Sequence, residues 1–267
     1  MGTIMQVNHL NRDIYIKDEI RFNLLSLAAE HETAKIYTDQ RHVVICQVNR
    51  KTPIWIWTHD QVSEEELNAI RECLYTKFNW KSYTTLMVKP ELVSFANPIV
   101  EDILHEKCHN RTEMMSYSWQ FCEYPNEKIG HMEQANMAMM QRVAEFRARD
   151  INEMEHLGVS VTDLKKEAAW MIRTGNAYVW ITPEEKIASL AFVAHRFPTQ
   201  ARINRVYTHP YLRRKGYGSM LMHELALAIH NEGRVAMVYS DATYLPSNST
   251  YKKSGFIEQG MLYEIGI

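Results

Sequence analysis

Within residues 17–31 the apolar side chains Ile20, Leu24, Leu25 and Ala28 recur at spacings of three and four, which predicts a helix with one apolar face. Residues 42–48 and 53–58 are instead unbroken β-branched and aromatic runs. The polar tetrad Asn49, Arg50, Lys51 and Thr52 between them predicts a hairpin. Ser63 and Glu66 stand at the spacing of a capping box, opening a helix that runs to about Phe78. A strand over 83–88, a helix over 91–107 interrupted near Pro98 and a strand over 112–124 complete the first half. No glycine-rich turn marks a ligand site there. Pro125, Asn126, Glu127 and Lys128 form the expected boundary, giving an N-terminal α/β domain at 1–126 and a second domain at 127–267.

Beyond the boundary the pattern predicts a long helix over 132–157 ending at Gly158, and a second over 162–174, capped by Thr162 and stopped by Gly175. Strands are expected at 177–181 and 187–195, joined through a turn containing Pro183. A third strand at 203–208 leads to a helix at 218–231, a fourth strand at 234–240, a short helix at 247–254 and a last strand at 256–265. The alternation predicts helices packed on a mixed, largely antiparallel sheet.

Composition narrows the function classes. A formal net charge of −2 gives no basic field to draw nucleic acid or an anionic membrane. No apolar run approaches the roughly eighteen residues of a membrane span, and the opening residues lack the apolar core of a secretory signal, so a cytoplasmic protein is expected. Cys46, Cys73, Cys108 and Cys122 are widely spaced and are expected to be buried, reduced thiols; no metal site is indicated. Met132, Met137, Met139 and Met140 are read as core filler, as are Trp55, Trp57, Trp119 and Phe121.

The chemistry is concentrated in residues 202–227. A strand meets Pro210, passes the cations Arg213, Arg214 and Lys215, and enters an apolar helix past Gly216 and Gly218. Glycines admit an anion close to the backbone, and the first amides of a helix are unpaired and sit at the positive end of its dipole. Neither the P-loop nor the dinucleotide fingerprint is present. The spacing is Arg213-x-x-Gly216-x-Gly218. Downstream, residues 248–256 read Asn248-x-x-Tyr251-x-Lys253-x-Gly255-Phe256.

These two motifs together resemble the acyl-CoA signatures of the GNAT superfamily of N-acetyltransferases, over roughly 127–267. The resemblance implies a GNAT-like acyl-CoA fold and transfer of an acetyl group from acetyl-CoA to a primary amine, without a metal, on a small-molecule acceptor. It implies that the strand carrying Val206, Tyr207 and Thr208 bulges, pairs with the pantetheine arm and polarises the thioester carbonyl. Amides of Arg214, Lys215, Gly216, Tyr217, Gly218 and Ser219 would hold the pyrophosphate, with Arg213 and Arg214 adding charge. Asn248 would touch the cofactor arm, and Tyr251 would stand beside the sulfur as general acid.

Many proteins of this family carry a glutamate where this chain has Arg202, which leaves the base open. Asp241 is the candidate taken here, with Tyr207 or His209 acting through water as alternatives. A protein or amino-acid acceptor, or a catalytically silent CoA-binding sensor, are the competing functions. The element order of the first half echoes part of the second, and two-domain proteins of this superfamily exist. Residues 1–126 are therefore read as a degenerate GNAT-like half that walls the acceptor site.

Overall fold

The computed structural model describes residues 3–124 and 127–267. In chain order its regular elements are β1 (Met5–Val7), α1 (Asn23–Ala29), β2 (Lys35–Thr38), β3 (Val43–Gln47), β4 (Ile54–Thr58), α2 (Glu64–Lys77), β5 (Leu86–Val88), α3 (Val93–Leu104) and β6 (His109–Trp119). Then follow β7 (His131–Gln134), α4 (Met140–Met154), α5 (Val161–Arg173), β8 (Ala177–Ile181), β9 (Ile187–Arg196), β10 (Gln200–Thr208), α6 (Tyr217–Asn231), β11 (Val235–Asp241), α7 (Leu245–Lys253) and β12 (Phe256–Gly266).

Two units are separately packed. One comprises Met1–Ser116, Ser240–Thr243 and Gln259–Ile267; the other comprises Tyr117–Tyr239 and Tyr244–Glu258. The packing boundary lies at 116/117, ten residues before the domain boundary expected from the sequence, and the end of the chain returns to the first unit. Of the expected linker, Pro125 and Asn126 lie outside the described residues.

In the first unit the strands lie in the order β1, β2, β3, β4, β5, β12. The β3–β4 hairpin is buried on both faces, which is why its sequence is apolar without alternation. Ile45, Ile54 and Ile56 pack with Ile70 and Leu74 of α2 and Ile99 and Val100 of α3. Val44, Cys46, Trp55 and Trp57 pack with Tyr15, Phe22 and Leu25. The helix expected over 17–31 is two pieces, a 3-10 turn at Arg12–Asp18 and α1. At the end of the 3-10 turn the Asp18 carboxylate accepts from Trp57 Nε1 at 2.8 Å and pairs with Lys89 Nζ at 2.7 Å. α3 runs through Pro98 without a break; burial of Ala96, Ile99 and Val100 outweighs the missing amide.

The capping box of α2 is formed as expected. Ser63 Oγ accepts from the Glu66 amide at 3.3 Å, and Glu66 accepts from the Ser63 amide at 2.7 Å. Burial alone would raise the Glu66 carboxyl, but Ser63, His59 and His42 hold it down to about 2. Its ionised form therefore stabilises the fold above its ordinary value of 4.5, and that contribution is lost as pH falls from 4.5 through about 2. Glu66→Gln should lower stability at pH 7 by about 1–3 kcal/mol, with the difference from wild type shrinking in acid. Urea titrations at pH 7 and pH 3 test this; a pH-independent difference would contradict it.

In the second unit the order is β11, β10, β9, β8, β7. All neighbours are antiparallel except β10 and β11, which are parallel. α4 and α5 cover one face, with Val143, Phe146, Ala168 and Met171 against Val179, Leu190 and Phe192. α6 lies against β8, β9 and β10. The helix expected over 132–157 begins only at Met140, because residues 131–134 add an edge strand to β8, with His131 opposite Ile181 and Gln134 opposite Tyr178. α5 is capped by Ser160, with Asp163 completing a capping box, instead of Thr162. Gly158 and Gly175 take the left-handed φ values expected, +66 and +70°.

Trp55, Trp57 and Trp119 are core, whereas Phe121 is 68% exposed. Met139 and Met140 pack on the core of the second unit, and Met137 is exposed. All four cysteines are free thiols, Cys46 and Cys73 buried, Cys108 and Cys122 only half-buried.

Candidate functional site

β10 holds its parallel register with β11 from Gln200 to Ile203, and its antiparallel register with β9 slips between Asn204 and Tyr207. Within the slip Arg205 has φ +53°, a left-handed value costing a side-chain-bearing residue about 1 kcal/mol or more. Its guanidinium is anchored 2.7 Å from Glu167 of α5. A bulge of this kind re-aims the backbone that follows it. Val206, Tyr207 and Thr208 line a cavity of about 760 Å³.

The opposite wall is the start of α6. A 3-10 turn at Pro210–Leu212 and left-handed residues Arg214 and Gly216, at φ +65 and +81°, bring the chain into the helix. No side chain caps α6, and its first backbone return is from the Met220 amide to Gly216 O at 2.9 Å. The amides of Tyr217, Gly218 and Ser219 belong to the turn that has no intrahelical acceptor, and they carry the positive end of the helix dipole. Gly216 answers to conformation and Gly218 to space. A Cβ on Gly218 would stand 2.8 Å from Thr208 Oγ1, which is itself bonded to Ser189 Oγ at 2.9 Å.

α7 supplies Tyr251, whose ring packs edge-on against Tyr117 at 5.8 Å between centroids. Burial pushes its hydroxyl well above the ordinary tyrosine value despite a hydrogen bond with Ser247, so it is a protonated donor at neutral pH. Trp119 Nε1 donates to Ser254 O at 2.8 Å, and Gly255 behind it leaves no room for a Cβ, which would come 2.4 Å from Cys122 Sγ. These contacts fix the C-terminal end of α7.

Two carboxylates that the sequence did not single out reach the cavity from α4, Asp150 and Glu153. Glu153 accepts from Tyr207 Oη at 2.5 Å and from Arg213 at 2.6 Å. Burial works against its charge, but those two donors keep its carboxyl below the ordinary value. Asp150 is pushed upward by burial, which outweighs its ion pair with Arg147. On a polar helix face neither residue differs in pattern from a solvated acid; only the spacing of three, which places both on one side of α4, was readable.

The other expected site residues are distributed unevenly. Arg214 lines the cavity with no acidic partner among the described residues, while Arg213 is committed to Glu153, to Thr208 O at 2.9 Å and to the Tyr207 ring. Lys215 is exposed and Asn248 buried, and neither is on the cavity wall. His209 packs against Phe146 and Tyr211 away from the wall. Asp241 is exposed and belongs to the first unit, where its carboxylate accepts from the amide and hydroxyl of Thr243 at 2.8 and 2.6 Å. That is the geometry of a turn-stabilising aspartate.

Residues 183–263 match the FR47-like protein family. A GNAT-family acetyltransferase from Colwellia psychrerythraea superposes with a TM-score of 0.62 at 9% identity, covering 99% of both chains. A Drosophila protein solved by X-ray crystallography gives 0.65 at 13% identity, over 100% of this chain and 99% of that one. A GCN5-related N-acetyltransferase from Sphaerobacter thermophilus gives 0.58 at 10% identity, over 91% of this chain and 84% of that one. This chain has the GNAT acetyltransferase fold. No curated protein matches it in sequence. The likeness in fold extends over both units, since the Colwellia acetyltransferase aligns with 99% of the chain. Among the described residues no helix is long and apolar enough to cross a membrane.

Proposed function

We propose that this protein is an N-acyltransferase that moves an acetyl group from acetyl-CoA to a primary amine of a small molecule. The observation that carries the reading is the convergence on one cavity of the uncapped α6 turn, the bulged segment of β10 and the buried Tyr251. The residues fit the co-substrate. Gly218 leaves space that a Cβ would take up, the α6 amides offer donors to a pyrophosphate, and Arg214 adds charge beside them. Acetyl-CoA supplies an activated acyl group on a thiol leaving group. The backbone of Val206 to Thr208 presents donors to the acyl oxygen, and Tyr251 holds a proton for the departing sulfur.

A base must keep the attacking amine neutral. Asp241, tied into its turn, gives way in this proposal to Asp150, which lines the cavity and carries a carboxyl raised by burial. Glu153 orients Tyr207 and Arg213 beside it. A base acts when deprotonated, so kcat should fall as pH drops through the raised Asp150 value. Asp150→Asn should lower kcat about 10²-fold and erase that acidic limb while leaving acetyl-CoA affinity in place. Steady-state rates across pH, with calorimetry of CoA binding, check it; wild-type kcat in the variant removes Asp150 from the reaction. The enzyme reading itself is tested by CoA release against an amine panel. Tight CoA binding with no turnover on any amine would favour a silent sensor.

A further inference from the structure

Among its described residues the first unit has no glycine cradle, yet it gathers three side chains able to ligate a metal at one corner. His42 and His59 flank the β3–β4 hairpin. Val43 is opposite Thr58 in the ladder, so the next pair outward is His42 and His59, and the His59 amide donates to His42 O at 3.0 Å. Directly opposed residues of an antiparallel pair project from the same face. The two imidazoles accordingly lie 4.2 Å apart between centroids and within 30° of parallel.

Glu66 arrives from the first turn of α2 and addresses both rings, Oε1 standing 2.7 Å from His42 Nδ1 and Oε2 3.2 Å from His59 Nε2. One potential ligand atom from each residue falls within 4.8 Å of the other two. We propose that His42, His59 and Glu66 form a zinc site that clamps the end of the β3–β4 hairpin to the N-terminus of α2.

Imidazole and carboxylate are ligands suited to Zn²⁺, and two nitrogens with one oxygen leave a fourth position for water. Zinc bonds of about 2.0–2.1 Å place tetrahedral ligands roughly 3.4 Å apart, so ligand atoms now within 4.8 Å of one another need to close by about 1.4 Å at most, while the 2.7 Å His42–Glu66 pair opens slightly. His42 has the freedom to do so, its side chain being 48% exposed. The carboxylate is already oriented from behind, since Glu66 Oε2 accepts from the Ser63 amide at 2.7 Å and from Ser63 Oγ at 2.9 Å. Such outer contacts hold a ligand in place. His42 is placed likewise through its backbone, its amide donating to Asp39 Oδ1 at 2.8 Å. Glu64 and Glu65 stand in the same short stretch of chain as His59 and Glu66 and add negative potential, while Asp60 pairs with Lys89 Nζ at 3.1 Å. The ligand spacing in sequence, sixteen residues between the histidines and six more before the glutamate, matches no short zinc motif, and only the fold assembles it.

The test is calorimetric titration of the metal-stripped full chain with Zn²⁺ at neutral pH, repeated with Co²⁺ to read the visible absorption of the bound ion. One equivalent with a tetrahedral Co²⁺ spectrum is expected. His42→Ala and His59→Ala should each weaken binding about tenfold or more, whereas His131→Ala, altering an exposed histidine in the other unit, should not. Circular dichroism without metal separates loss of fold from loss of a ligand, and if one histidine variant fails to fold the other decides. Zinc should also raise the thermal midpoint of wild type, and raise those of His42→Ala and His59→Ala by clearly less at the same zinc concentration. No uptake at about 100 μM Zn²⁺, or uptake unchanged in both histidine variants (an adventitious ion only, on other histidines of the chain), overturns the proposal.

Discussion

Replacing Tyr251 by Phe is expected to lower kcat by about 10²-fold or more while changing acetyl-CoA affinity only slightly. The ring stays, so its packing on Tyr117 and Phe256 is retained and the cavity keeps its wall. What is lost is one hydroxyl, a proton donor whose burial makes it hold its proton above the ordinary tyrosine range. Stability should fall by about 1 kcal/mol through the missing contact with Ser247. The same burial fixes a pH signature. Tyr251 remains protonated throughout neutral and mildly alkaline solution, so the wild-type rate should show no loss of this acid below about pH 10. Rates of CoA release in the variant, set beside calorimetric CoA binding, give the answer, and wild-type kcat in Tyr251→Phe would dismiss the hydroxyl from the reaction.

The proposed cofactor side is legible in sequence because its requirements act on the backbone. A left-handed residue before a helix calls for Gly216, a close approach calls for Gly218, and a helix entered without a cap advertises an anion. Such demands leave glycines at fixed spacing, and spacing survives in sequence. The base proposed here is not legible in sequence for the converse reason. Asp150 and Glu153 acquire their character from Arg147, Arg213 and Tyr207, which reach them only after folding. Asp241 is singled out in sequence by its place after a strand, and in the structure its carboxylate is bonded to its own turn.

The same contrast separates the elements. The α2 capping box and the two-sided β runs are legible, since Ser63, Glu66 and the β3–β4 hairpin depend on neighbours in the chain. The helical pattern over 132–157 takes in residues 132–134 because the partner that makes them a strand, β8, lies more than forty residues on. His42, His59 and Glu66 belong with that second class.

Gly218→Val should weaken acetyl-CoA binding by about 10²-fold or more and leave the chain folded. Position 218 lies in the first turn of α6, where its φ is one that any residue adopts, so the substitution introduces no left-handed strain. Helix propensity even favours Val slightly over Gly. Against that stands the 2.8 Å approach to Thr208 Oγ1, which must swing away from Ser189. Together these leave a net cost of about 1–2 kcal/mol in stability. Binding has no such compensation. The branched side chain would sit between the α6 amides and β10, occupying the space through which an anion approaches those donors. Gly158→Ala is the matched control: at φ +66° with nothing within 4 Å of the added Cβ, it strains the backbone without filling any cavity. It should cost about 1 kcal/mol in stability and leave CoA affinity untouched. Calorimetric CoA binding and thermal midpoints of both variants separate the two effects, and a Gly218→Val protein that binds CoA as tightly as wild type would remove the α6 turn from the binding site.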